Sequence, residues 1–135
     1  MIDLHTHSTI SDGALTPTQL VQAAAQNGCR LLALTDHDHT GGRAEAARHG
    51  IRFINGAEIS VTWRHRTIHI VALDFDEHNS RLQTLLAQVR QGRIARLHQI
   101  AAKLAKHGIA GAAEGALALA ANPEMVSRTH IADWL

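Results

Sequence analysis

The chain has 135 residues and a formal net charge of +1 at pH 7, since it contains 13 Lys and Arg and 12 Asp and Glu residues. This balance argues against long charged tracts and against a strongly basic coat for nucleic acid. The single cysteine, Cys29, excludes an intrachain disulfide and a thiolate metal cage. No apolar run approaches the roughly 20 residues of a membrane span, and the N-terminus lacks signal-peptide features, so we expect a cytoplasmic location.

The first half of the chain alternates short apolar runs with helical patterns. In chain order, we predict a strand at 2–5, a helix from Thr16 to Gly28, a strand at 31–35, a helix at 42–49 and a strand at 51–54. Thr16 and Gln19 form a capping box around Pro17 at the start of the first helix. Alternation at this pace favours an α/β fold with a parallel sheet.

The second half begins with two β-rich runs, 58–63 and 67–73, which predict a hairpin. From Ser80, a plausible helix cap, apolar residues recur with helical period as far as His107-Gly108. Shorter helices are predicted at 111–121 and from Ser127 onward. The sequence therefore predicts an α/β part at 1–78 and a helical part at 79–135.

Histidines are concentrated at the predicted strand ends. His5 and His7 are two residues apart in the first strand, so they project to the same side together with Asp3. Two adjacent imidazoles form half of a site for zinc, manganese or iron. An isolated pair of this kind is more often a pair of surface histidines, and Asp12 by itself reads as a turn residue.

Further ligand-type residues follow the next strands. The run Asp36-His37-Asp38-His39 comes directly after a buried apolar strand, where ligands bind in parallel α/β sheets. Glu58 follows the third strand, and the preceding Gly56 permits a close backbone approach. His69 lies within a fourth β-rich run, and a lone strand histidine of this kind is more often a core residue bonded to the backbone. Their recurrence at four successive strands predicts a multinuclear metal site that activates water for phosphate chemistry.

These motifs resemble the polymerase-and-histidinol-phosphatase (PHP) superfamily of metal-dependent phosphoesterases. The resemblance covers residues 2–76 and is carried by Asp3-Leu4-His5-Thr6-His7-Ser8, Ser11-Asp12-Gly13, Thr35-Asp36-His37-Asp38, Gly56-Ala57-Glu58 and His69. It implies a distorted (β/α)7 barrel, of which this chain would be a truncated front half with a helical insertion. It also implies two or three divalent ions (Mn, Zn or Fe).

The resemblance further implies roles for individual residues. His5, His7 and Glu58 would hold one metal, Glu58 and His69 a second, and Asp12 with His37 a third. Asp3 and Asp38 would support the ligands or face the substrate, and Asp38, His37 and Glu58 are the catalytic candidates. Hydrolysis would then proceed through metal-bound hydroxide.

The later segment Ser127-Arg128-Thr129-His130 resembles the PHP subgroup of nucleoside 3′,5′-bisphosphate phosphatases and 5′–3′ exoribonucleases. This similarity implies that Ser127, Arg128 and His130 hold a substrate phosphate. Arg128 suits that role because its guanidinium offers a fork of donors. The implied substrates are nucleotides or short RNA, and we expect neither a membrane nor a stable protein partner.

Two alternatives remain open. A histidinol-phosphate phosphatase shares the barrel signature, although the segment from Ser127 to His130 argues against it. A metal-binding PHP module without activity, such as those attached to DNA polymerases, is the second alternative.

Overall fold

The computed structural model describes residues 1–40 and 49–135. These residues divide into two compact units, Met1–Leu86 and Ala87–Leu135. The helix predicted at 42–49 falls mainly outside the described residues. Within them, no helix combines the length and apolar character that are needed to cross a membrane.

The first unit contains a four-stranded sheet in the order β1-β2-β3-β4. The strands are β1 (Ile2–Thr6), β2 (Leu31–Leu34), β3 (Arg52–Trp63) and β4 (Arg66–Leu73). β1, β2 and β3 run parallel, whereas β3 and β4 form an antiparallel pair. The expected α/β fold with a parallel sheet and a terminal hairpin is therefore confirmed.

β3 differs from the prediction of two separate runs, because it is one continuous strand of 12 residues. Its first half pairs with β2 and its second half pairs with β4. Gly56 lies at the changeover, where a Cβ atom would stand 2.8 Å from the carbonyl oxygen of Leu34 and 2.7 Å from Cγ2 of Thr35. Because glycine lacks that atom, β3 passes close to β2 and continues without a break.

Helix α1 (Pro17–Gln26) begins as predicted, with the Thr16–Gln19 capping box and Pro17 in its first turn. It ends at Asn27, and Gly28 adopts a φ of +71°. The core of this unit consists of buried Val21, Cys29, Leu32 and Ile51 with partly buried neighbours. Apolar packing of this kind holds the parallel strands side by side, so that their ends form a common edge.

The long helix α2 (Ser80–Lys106) crosses the boundary between the units. The prediction of Ser80 as its cap is wrong, because Ser80 is already helical. The Oδ1 atom of Asn79 instead accepts hydrogen bonds from the backbone N–H groups of Arg81 and Leu82, both at 3.1 Å. An Asn side chain caps a helix at least as well as Ser, so the cap lies one residue earlier.

The second unit is helical, as expected for the later part of the chain. α3 (Ala112–Leu119) is followed by a 3-10 turn (Pro123–Met125) and α4 (Arg128–Trp134). Its core contains Leu97, Ala113, Ala116, Ala120, Val126 and Ile131. Trp134 packs so closely over Gly115 that a Cβ at this position would lie 2.0 Å from the indole Nε1.

Candidate metal centre

Backbone hydrogen bonds place Glu58 beside the loop that follows β2. The N–H of Glu58 donates to the carbonyl of Asp36 at 3.2 Å, and the N–H of Asp38 donates to the carbonyl of Glu58 at 2.9 Å. His37 lies between these two bonds and forms a parallel bridge with Glu58. The side chains of His37 and Glu58 therefore emerge next to each other at the carboxyl end of the sheet.

The loop after β1 is held by the buried carboxylate of Asp36, which is 1% exposed. Its Oδ1 accepts from the Ser8 N–H at 2.7 Å and from the Ser11 hydroxyl at 2.6 Å, and its Oδ2 accepts from the Ser8 hydroxyl at 2.7 Å. The sequence analysis grouped Asp36 with the ligand-type residues after the second strand, and it did not foresee that Asp36 binds Ser8 and Ser11. The available signal was a carboxylate directly after a buried strand, together with two serines in one short loop.

Gly13 closes the same loop. A Cβ atom at this position would stand 2.1 Å from the carbonyl oxygen of His7 and 2.8 Å from the nitrogen of Ser8. Only glycine fits so close to another backbone segment. This contact and the hydrogen bonds to Asp36 fold the loop back, so that Asp12 lies next to His7.

Six of the predicted ligands converge in three overlapping groups, each with ligand atoms within 4.8 Å of one another. The groups are His5–His7–Glu58, His7–Asp12–His37 and His37–Glu58–His69. The closest pairs in the first group join Oε2 of Glu58 to Nε2 of His5 at 2.8 Å and to Nε2 of His7 at 2.9 Å. The predicted gathering of these side chains at one sheet edge is therefore observed.

Asp12 connects two histidines, and Glu58 connects four. The Nδ1 of His7 lies 3.2 Å from Oδ1 of Asp12, and the Nε2 of His37 lies 3.5 Å from Oδ2 of the same carboxylate. On the other side, Oε1 of Glu58 is 3.7 Å from Nδ1 of His69. Glu58 thus turns one oxygen toward His5 and His7 and the other toward His69.

Contacts within the cluster shift the pKa values of Asp12, His7 and Glu58. Hydrogen bonds from His37 and then from His7 hold the pKa of Asp12 far below its ordinary value. The hydrogen bond to Asp12 raises the pKa of His7, although burial opposes the change. Burial by itself would raise the pKa of Glu58, but its contacts with His5, His37 and His7 leave it below the ordinary value. Both carboxylates are therefore ionised at neutral pH, as metal ligands must be.

One buried atom tests whether a metal fits this arrangement. The Nδ1 of His37 is buried and has no hydrogen-bond partner among the described residues. A buried imidazole nitrogen without a partner is costly unless a cation or water satisfies it. The surrounding donors are imidazole nitrogens and carboxylate oxygens, the set that Zn, Mn and Fe accept. The residues present therefore fit divalent metal ions.

Two other predicted site residues, Asp38 and Asp3, lie outside the three groups. Asp38 is fully buried, and its Oδ1 accepts from the Ser60 N–H at 2.7 Å, so its carboxylate holds β3 against the loop after β2. Asp3 accepts from the N–H of His5 at 3.4 Å. His69 belongs to the third group, and its side chain is 39% exposed on the edge strand β4, unlike that of a core histidine.

In the second unit, Ser127 directly precedes α4, and its backbone N–H donates to Nδ1 of His130 at 3.0 Å. Because Nδ1 accepts this hydrogen bond, the neutral His130 ring carries its proton on Nε2. Arg128 is exposed. These three residues therefore lie within one helical turn, and they offer donor groups to an anion.

The comparisons with known proteins agree with this geometry. The chain is 53% identical to a 3′,5′-nucleoside bisphosphate phosphatase of Chromobacterium violaceum, over 99% of this chain and 48% of the relative. It is 45% identical to a 5′-3′ exoribonuclease of Haemophilus influenzae, over 98% of this chain and 49% of the relative. The chain thus spans about half the length of the curated relatives it matches.

A solved structure is also similar. A candidate metal-dependent phosphoesterase from Bifidobacterium adolescentis superposes with a TM-score of 0.80 at 30% identity, over 98% of this chain and 48% of that one. The family model of the PHP domain matches residues 3–128, a span that contains every residue of the three metal-binding groups. This chain therefore belongs to the PHP domain family.

Proposed function

We propose that this chain carries the metal-binding part of a phosphoesterase that acts on nucleotides. Its substrates would be nucleoside 3′,5′-bisphosphates and the 5′ ends of short RNA, in keeping with its similarity to a 3′,5′-nucleoside bisphosphate phosphatase and a 5′-3′ exoribonuclease. The observation that carries the proposal is the division of the Glu58 carboxylate between two histidine groups. Such an arrangement suits adjacent metal ions on a single phosphate.

In this proposal, six side chains hold two or three ions of Mn, Zn or Fe: His5, His7, Asp12, His37, Glu58 and His69. When bound, these ions supply an activated water at neutral pH and positive charge for the phosphate oxygens. Glu58 joins neighbouring sites, and His37 fixes the edge of the cluster through its backbone bridge to Glu58. Asp38 acts as a positioning residue, since its buried carboxylate bonds to the backbone of β3.

The substrate is oriented by a second set of groups. Ser127, Arg128 and His130 would hold a phosphate that is not cleaved, because they present an exposed guanidinium and an imidazole Nε2–H within one turn. In this proposal residues 1–78 form the metal-binding part and residues 79–135 form the helical insertion. We place the activity in the cytoplasm, whose reducing conditions suit the free, buried thiol of Cys29.

The test is release of inorganic phosphate from adenosine 3′,5′-bisphosphate by the purified chain loaded with Mn²⁺ or Zn²⁺. We expect release that stops with chelator and that is lost in Glu58→Ala and His37→Ala. His98→Ala is the matched control, since this exposed histidine lies on α2 outside the metal groups. Equal release by the wild type and both metal-site variants, with contaminating metal excluded, would contradict the proposal.

A further inference from the structure

One long stretch of the chain contains no acidic residue, although the chain as a whole is almost neutral. The sequence has nine Asp and Glu residues up to Glu77 and three from Glu114 onward, so residues 78–113 contain none. The same stretch contains six of the 13 basic residues: Arg81, Arg90, Arg93, Arg96, Lys103 and Lys106. A local excess of positive charge is therefore centred on α2.

In the second unit, the apolar face of α2 packs against the helical core. Leu97 is buried in the helical core, and Ile94, Ile100 and Leu104 pack against it. A basic amphipathic helix binds a membrane by burying its apolar face in the lipid. In α2 that face is covered by protein, so only the polar face is available to a partner.

The polar face carries a row that we call the basic stripe: Arg96, Gln99, Lys103 and Lys106. Positions separated by three, seven and ten residues lie along one side of a helix, and all four side chains are exposed. Arg90, by contrast, pairs with Glu124 at 3.1 Å. Within residues 1–40 and 49–135, no carboxylate forms an ion pair with Arg96, Lys103 or Lys106. A bound anion would therefore reduce their mutual repulsion.

The length of the stripe indicates an extended polyanion. Ten residues of α-helix span about 15 Å, and a stacked nucleic-acid strand advances about 3.4 Å per nucleotide. The stripe therefore matches about four nucleotides, at the lower end of the site sizes of single-strand-binding proteins. A mononucleotide is too short to contact the whole stripe.

We infer that the basic stripe binds the phosphate backbone of single-stranded RNA. The choice of RNA rests on the proposed function, whose substrates include RNA 5′ ends. Binding through Arg96, Lys103 and Lys106 would be independent of base sequence and would favour RNA over mononucleotides. The stripe would thus add affinity for polymeric substrates without touching the metal groups.

The test measures binding of a fluorescent, 5′-phosphorylated 12-nucleotide RNA by anisotropy in EDTA, so that no hydrolysis occurs. The triple variant Arg96→Gln, Lys103→Gln, Lys106→Gln should bind at least about tenfold more weakly at low salt. The slope of log K against log salt should fall by about 2, since each phosphate contact on a single strand contributes about 0.7. Circular dichroism checks that the variant keeps its helices, and Lys103→Gln alone should lower the slope by about 0.7.

The matched control removes the same charge elsewhere, as Arg30→Gln, Arg52→Gln and Arg66→Gln at exposed positions of the first unit. We expect its RNA affinity to stay within about twofold of the wild type, because nonspecific net charge acts weakly compared with direct phosphate contacts. Equal weakening in the two triple variants would overturn the inference. Binding to phosphatidylserine vesicles with no binding to RNA would also overturn it.

Phosphate release from adenosine 3′,5′-bisphosphate separates this inference from the proposed function. The rate of phosphate release from that small substrate should be the same in the triple stripe variant as in the wild type. If the variant lost phosphate release and RNA affinity to the same extent, the inference that the stripe binds RNA specifically would be overturned. Absence of turnover in the wild type would contradict the proposed function, whereas the RNA-binding result in EDTA would still decide the inference.

Discussion

The buried Nδ1 of His37 lies 3.9 Å from Oε2 of Glu58, and this nitrogen has no hydrogen-bond partner among the described residues. The separation is too long for a hydrogen bond. An imidazole nitrogen and a carboxylate oxygen are both ligands for Zn, Mn and Fe, so this pair would contribute to holding such an ion. The two side chains are held in this relation by the backbone bridge that joins them.

Metal binding should depend on this pair. We expect Glu58→Ala to weaken Mn²⁺ or Zn²⁺ binding more than any other single ligand change, because Glu58 lies within 4 Å of four of the other ligands: His5, His7, His37 and His69. Calorimetric titration should show a loss above the roughly 10- to 100-fold typical of residues that only support ligands. Glu114→Ala, on α3, is the control and should bind like the wild type; an equal loss in that variant would contradict the assignment.

Asp36 should be required for the shape of the loop after β1. In Asp36→Asn, the two serine hydroxyls and the Ser8 N–H lose a charged acceptor. Hydrogen bonds to charged groups contribute about 1.5–3 kcal/mol each, so we expect the free energy of unfolding in urea to fall by several kcal/mol. Asp76→Asn, in the turn before α2, should change it by less than about 1 kcal/mol. Unchanged stability in the Asp36 variant would show that the loop does not depend on this carboxylate.

Two glycine substitutions should have opposite effects. Gly13→Ala places a methyl group on the carbonyl of His7, so the loop must shift and metal affinity and stability should both fall. Gly92→Ala meets no heavy atom within 4 Å and lies in the interior of α2. That variant should be more stable by about 0.5–1 kcal/mol in urea unfolding, with normal metal binding. A tolerated Gly13→Ala would contradict the close approach.

The metal-free chain should lose stability as the pH rises above neutrality. The pKa of His7 is raised in the folded state, so its contribution is fully present below its ordinary value of 6.5 and is lost as the pH passes through the folded value. The pKa values of Asp12 and Glu58 are lowered in the folded state, so these carboxylates stabilise the fold near neutral pH. Their contribution to stability is lost only as the pH falls into the acid range. Metal binds the unprotonated imidazole, so its affinity should increase over the same rise in pH.

Thermal unfolding from pH 5.5 to 8.5, with chelator and with Zn²⁺, measures this prediction. The melting temperature with chelator should decrease across that range, and the shift caused by Zn²⁺ should increase. Asp12→Asn removes the largest cause of the raised His7 pKa and should flatten the profile with chelator. If the melting temperature of the wild type in chelator rose with pH, the change would be opposite to the one expected, and it would contradict the His7–Asp12 contact.

Arg128 should discriminate between substrates. Arg128→Ala should weaken binding of adenosine 3′,5′-bisphosphate by about 10- to 150-fold, since a charge-assisted hydrogen bond contributes about 1.5–3 kcal/mol. Adenosine 3′-monophosphate lacks the 5′ phosphate and should be affected much less. Comparison of KM for both substrates measures the difference, and equal losses would place Arg128 at the cleaved phosphate or in folding only.

Much of the fold was predictable because its signals are local. The capping box at Thr16, the apolar run of β2 and the helical period of α2 each depend on residues that are close in sequence. His5, His7 and His37 were predictable for a related reason: parallel strands end at one edge, so residues at the ends of β1 and β2 must meet. Glu58 and His69 lie inside β3 and β4, and local strand signals do not account for their place beside these histidines. The cap at Asn79 and the continuous β3 were mispredicted. Ser80 is an equally good cap by sequence, and the run around Gly56 resembles a break.

By itself, the sequence determined which side chains gather: His5, His7, Asp12, His37, Glu58 and His69. Only the tertiary structure decided how they are shared, with Oε2 of Glu58 facing two histidines and Oε1 facing His69. It also decided that Asp36 supports a loop and that Asp38 is buried against β3. The physical reason is that strand period and strand ends are encoded by neighbouring residues. The direction of a carboxylate oxygen depends instead on hydrogen bonds from segments up to 53 residues away.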